Sequence, residues 1–130
     1  MTIQQAVQSN EVSPYTIVGL RKCDSLKTIT EAVNFVFGLE EGDINNPTRR
    51  REIVQARQLV QTLCRWVLNW GIHKIGLKVG KRDHATVLYS IRTTKALYQT
   101  DKIHRGHIDK VLVLINRTDL VDRLTSKEVY

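Results

Sequence analysis

A chain of 130 residues with 42% hydrophobic and 6% aromatic side chains can bury one self-sufficient core and is too apolar for wholesale disorder. Its net charge of +7 is unevenly placed: residues 49–110 hold fourteen Lys or Arg against four Asp or Glu, and all four histidines, while the remainder is net acidic. Clustered positive charge favours a polyanionic partner, and no apolar run is long enough to span a bilayer.

The first residues, MTIQQAVQSNEVS, lack the charged start and apolar run of a secretory signal. Cys23 and Cys64 form no C-x-x-C pair, and Cys64 falls on an apolar helix face. A cytoplasmic, nucleoid-associated protein is expected. Residues 1–23 read as an extension, with a turn at Ser13-Pro14 and a short extended segment in YTIVGL. It is either a partly ordered arm or a partner contact.

Asp24 or Ser25 can cap a helix whose apolar positions are Leu26, Ile29, Val33 and Val36, with Gly38 ending it. LEEGDINNPT is a loop by its Gly, Asn and Pro content. The longest helix is expected from Thr48 to Asn69, with Ile53, Ala56, Val60, Leu63, Cys64, Val67 and Trp70 facing the core. Arg50, Arg57, Gln61 and Arg65 align on its opposite side, which predicts an exposed basic row. The cluster Arg49-Arg50-Arg51 precedes that row, and arginine arms of this kind lie along the backbone or in a narrow minor groove.

Ile72, Ile75 and Val79 then recur at helical spacing, Gly80 interrupts, and Asp83 can cap a second periodic run through Val87, Leu88 and Ile91. Two helices around a glycine turn form a helix-turn-helix, whose second helix offers its first residues to base edges. A last helix is expected after Thr100 or Asp101 on Ile108, Val111, Leu112 and Ile115; the run KVLVLI could equally form a buried strand, but an otherwise helical chain offers it no partner strands. The tail 117–130 makes a weak turn or two on Leu120, Val121 and Leu124, or frays. The fold class is a small all-α domain of five helices with an embedded helix-turn-helix, over 24–116.

Catalytic and metal readings find little footing. His104 and His107 are an i, i+3 pair without a second pair at zinc-ligand spacing, and no nucleophile-base arrangement is recognisable. An enzyme, a cofactor and a metal are not expected.

Ile75-Gly76, Gly80, Arg82-Asp83-His84 and Thr86-Val87-Leu88 together resemble the signature of the C-terminal DNA-binding domain of the bacterial replication initiator DnaA, approximately I-G-x-x-F-G-G-R-D-H-T-T-V-L-H-A. ITEAVNFVFGL is similar to the helix before that domain's basic loop, and RRREIVQARQLVQTLCRW to its basic cluster and R-Q-x-A-x-x-L helix. The resemblance covers roughly residues 25–115. It implies a Trp-repressor-like helical fold and binding to a duplex, A/T-rich, DnaA-box-like site. Base reading is implied for Asp83, His84, Ala85 and Thr86 in the major groove and for Arg49 in the minor groove. Backbone contacts are implied for Arg50, Arg57, Gln58, Arg65, Lys74, Lys81 and Arg82.

Several positions depart from the family pattern. Ala85 replaces a Thr, His73-Lys74 replaces Pro-Glu, and Lys81 replaces the second Gly of the turn. The family protein is also an ATPase. The nearest stretch to a P-loop, from Gly76 to Arg82, has one residue too few between its glycines and Arg82 where Ser or Thr is needed. A stand-alone DNA-binding domain without the ATPase module is therefore expected, serving replication initiation or its regulation. The competing reading is a protein-interaction module or transcription regulator that keeps the fold with altered or lost box specificity.

Overall fold

The computed structural model describes residues 25–81 and 83–127, so the expected extension at 1–23 lies outside the described residues. Its elements are α1 (Leu26–Phe37), a 3-10 turn (Asp43–Asn45), α2 (Arg51–Trp66), α3 (Ile72–Lys78), α4 (His84–Thr100), α5 (Lys102–Leu114) and α6 (Leu120–Thr125). No strand occurs among the described residues.

Local chemistry sets most boundaries. Ser25 caps α1, its hydroxyl accepting from the Thr28 N–H at 3.2 Å, and Gly38 closes the helix at φ 68°. Asp101 ends α4 and starts α5, accepting from the Ile103 and His104 amides at 3.0 and 3.1 Å. The run KVLVLI is helical, with Val111, Leu112, Leu114 and Ile115 buried. Helix α2 is shorter than the expected span of Thr48 to Asn69. Pro47 and a non-helical Arg50 delay its start; it ends at Trp66, capped by Val67, and the chain then turns at Asn69, φ 57°, where the Trp70 N–H reaches back to the Cys64 carbonyl at 3.2 Å.

Helix α2 lies at the centre, packed by α1, α3, α4 and the 3-10 turn. Ala56, Leu59, Val60, Leu63 and Cys64 are buried with Ile29 and Val33 of α1, Ile75 of α3, and Val87 and Ile91 of α4. Being enclosed on so many sides corrects the expected basic row. Arg57 is 5% exposed and Gln61 0%, while Arg50 and Arg65 remain exposed.

The tail takes the first of its two expected forms, a turn or two on Leu120 and Leu124, as a sixth helix beside the five expected. Helix α6 docks on α4, burying Leu120 and Leu124. The Gln99 amide donates to the Leu124 carbonyl at 2.9 Å, Lys95 donates to the Ser126 hydroxyl at 3.1 Å, and the Arg123 guanidinium lies 4.9 Å from the Trp66 ring centroid. A six-residue helix is unstable alone; these contacts are what hold it.

Candidate nucleic-acid interface

The helix-turn-helix is formed by α3, residues 79–83 and α4. Ile75 and Val79 seat the first helix in the core, and Val87, Ile91 and Thr94 seat the second. With these anchors inward, His84 and Ala85 at the start of α4 are left exposed and Thr86 half-buried. Asp83 caps the helix, its Oδ1 accepting from the Thr86 N–H at 2.8 Å. The Thr86 amide and then its hydroxyl hold the Asp83 carboxyl below the usual carboxylate range. Asp83 is thus an ionised, acceptor-only group at the helix tip, complementary to an amino donor such as that of cytosine.

Three polar side chains tie the turn between the helices, the preceding loop and α2 to one another. Gln61 donates to the Val79 carbonyl at 2.9 Å. The Gly80 N–H donates to Asn45 Oδ1 at 2.8 Å. Arg57 donates through Nε to the Ile44 carbonyl at 2.7 Å and through Nη2 to the Asn46 carbonyl. Gly80 lies against the stem of Arg57: at φ 77°, a Cβ added there would stand 2.7 Å from Arg57 Cδ. Position 80 therefore needs glycine for both its backbone conformation and its neighbour. The next residue, Lys81, is also left-handed at φ 50° although it carries a side chain.

Arg57 thus works inside the fold, where the sequence placed it on an exposed row. Gln58 is half-buried. Arg49 and Arg50 are exposed just ahead of α2, with Arg50 Nε 3.9 Å from Glu52. Arg51 points elsewhere, 3.5 Å from Asp101 at the start of α5. Arg65 and Lys74 converge on Trp70: Arg65 donates to its carbonyl at 3.1 Å, and the Lys74 ammonium lies 4.2 Å from its ring centroid. Lys81 is exposed, and Arg82 lies outside the described residues.

An open cleft of about 440 Å³ separates loop from turn, lined by Asn45, Pro47, Leu77, Lys78, Gly80 and Lys81. Asn45 and Lys78 were not singled out from sequence, and Gln61 was placed on the exposed row. Gln61 stands on a helix otherwise rich in core residues, which was the available signal against that placement.

Among the described residues, no group of three or more His, Cys, Asp or Glu side chains is placed to hold a metal ion, and no helix is long and apolar enough to cross a membrane. His104 and His107 instead pack on Phe37, with ring centroids 5.8 and 5.1 Å away.

Comparison with known proteins places this arrangement. The family described as "Bacterial dnaA protein helix-turn-helix" matches residues 26–93, just over half of the chain. The chromosomal replication initiator protein DnaA of Bacteroides fragilis is 34% identical over 96 residues, covering 72% of this chain and 20% of that protein. The same-named protein of Pelobacter propionicus is 35% identical over 101 residues (76% and 22%), and that of a Synechococcus species 39% over 84 residues (65% and 18%). The chain spans about a fifth of the length of these relatives. The matched segment contains the clamped loop, α2, α3, the capped Asp83 and the first ten residues of α4: the chain belongs to the DnaA C-terminal helix-turn-helix family.

Proposed function

We propose that this chain binds duplex DNA sequence-specifically, with the start of α4 in the major groove and the Arg49 segment in the adjacent minor groove, in replication initiation or its regulation. The carrying observation is that Asp83, His84 and Ala85 stand exposed at the tip of a helix whose turn is tied to the loop preceding Arg49. Asp83 and His84 offer acceptor and donor groups to base edges, Ala85 a methyl suited to thymine, and Thr86 a hydroxyl close to the cap. Arg49 suits the negative potential of a narrow A/T-rich minor groove.

Arg50, Arg65, Lys74, Lys81 and Arg82 set register on phosphates, with Gln58 beside them. Arg57 contributes through the loop it holds, because its Nε and Nη2 are spent on loop carbonyls. The relatives are named as chromosomal replication initiators, which supports a DnaA-box-like target and a replication role.

Selection of bound sites from a random duplex pool tests this reading. An enriched A/T-rich motif is expected, with affinity falling at a log–log salt slope near −4.5 for about five neutralised phosphates. Recovery of no motif, with salt-insensitive or absent binding, would refute it and favour a protein-interaction module that kept the fold.

A further inference from the structure

Helix α4 has a solvent face beyond its tip. Ala85, Tyr89, Arg92 and Ala96 are exposed along it, opposite the buried Val87, Ile91, Thr94 and Tyr98. Tyr89 is 60% exposed and is the one large hydrophobic side chain that α4 displays to solvent among the described residues. Its position follows Ala85 by four residues, one turn along the same stripe.

Geometry links the two positions. Four residues advance a helix by about 6 Å, under two base-pair steps of about 3.4 Å. A helical side chain also leans back over the turn N-terminal to its own Cα, so Tyr89 overlies the turn that carries Ala85. Ala85 has only a methyl group and leaves that space open. The recognition helix of the homeodomain, a helix-turn-helix variant, reads bases at spacings of i, i+3, i+4 and i+7, and Ala85, Leu88, Tyr89 and Arg92 have that register.

We infer that Tyr89 is a specificity-determining residue, reading the base step beside Ala85 with its ring and its hydroxyl. The inference rests on the DNA-binding reading above. The phenol both donates and accepts, and its ring face suits a thymine methyl. Tyrosine combines apolar area with a polar tip, which fits a surface that is wet when free and dry when bound. The base contact that the hydroxyl-free Ala85 cannot make is thereby supplied from the next turn of the same helix.

The test is site selection with wild type, Tyr89→Ala and Tyr89→Phe in parallel, followed by titration of the wild-type site and of an unrelated duplex. Tyr89→Ala should lose preference at one or two adjacent positions and weaken binding to the wild-type site roughly 5- to 150-fold, leaving the unrelated duplex unchanged. Tyr89→Phe should fall between the two. A cooperative thermal melt like that of wild type is expected, since the side chain is exposed. If Tyr89→Ala recovers the wild-type motif, or weakens every duplex alike with a shallower salt slope, Tyr89 reads no base and the inference falls alone. If wild type itself enriches no motif, the inference falls together with the DNA-binding reading.

Discussion

Replacing Gly80 by alanine should destabilise the protein through one particular neighbour. Left-handed backbone at φ 77° costs a non-glycine residue about 1–2 kcal/mol, offset by about 0.4–1 kcal/mol from the stiffer unfolded chain. The larger effect is the new Cβ at 2.7 Å from Arg57 Cδ. That carbon is no loose end, because the guanidinium beyond it is bonded to the Ile44 and Asn46 carbonyls. Relieving the overlap requires giving up at least one bond from a charged donor, about 1.5–3 kcal/mol. Gly80→Ala should therefore cost about 2–4 kcal/mol, measured by urea unfolding followed by circular dichroism with linear extrapolation. In an Arg57→Ala background the overlap is gone, and the same change should cost about 1 kcal/mol or less. Strict additivity in this cycle, within about 0.5 kcal/mol, would refute the account.

Two further changes separate stability from binding. Lys81→Gly relieves a left-handed lysine at φ 50° and should leave stability unchanged or raise it by up to about 1 kcal/mol. The same change should make the salt slope of DNA binding shallower by about 0.9, and an unchanged slope would remove Lys81 from the phosphate contacts. His104 is 2% exposed, with neither ring nitrogen hydrogen-bonded among the described residues. Burial holds its pKa below the ordinary 6.5; Asp101 opposes that shift, and His107 and Arg51 reinforce it. Below pH 6.5 the unfolded chain takes up a proton that the folded chain resists. The neutral histidine's full stability is thus present above 6.5 and declines as pH falls toward the folded value. His104→Leu should flatten that part of a stability profile taken between about pH 7 and pH 5, and identical profiles would count against it.

Much of the molecule is visible in its local chemistry because those features act within one turn of chain. The Ser25, Asp83 and Asp101 caps and the Gly38 and Gly80 stops all concern neighbouring residues. Arg57 and Gln61 were misplaced for the opposite reason. Their partners, Ile44, Asn46 and Val79, lie 11 to 18 residues away, and an arginine at helical spacing defaults to solvent until a loop is known to cover it. The docking of α6 depends likewise on tertiary contact. Among the expected reading positions, Asp83, His84 and Ala85 are exposed as their placement at a helix start requires. Tyr89 falls within the same signature, where the family pattern has His, but no reading role was implied for that position.

A module that reads both grooves must hold two elements at a fixed offset across one strand, so the tie between loop and turn matters as much as the reading side chains. Arg57 supports that tie by holding the loop to α2 with a planar fork, which lysine cannot reproduce, while its stem packs against Gly80 of the turn. Arg57→Lys therefore distinguishes a clamp from a phosphate contact. If the guanidinium chiefly neutralised a phosphate, lysine would retain most of the affinity. As a clamp, the substitution gives up at least one of the bonds to the Ile44 and Asn46 carbonyls, about 1.5–3 kcal/mol. Arg49 is then presented less rigidly. The expected result is a loss of stability and of affinity for the preferred site, with little change on unrelated duplex and a salt slope like that of wild type. Near-normal stability with uniformly weaker binding would overturn the clamp, and with it the explanation of why Gly80, Asn45 and Gln61 surround this arginine.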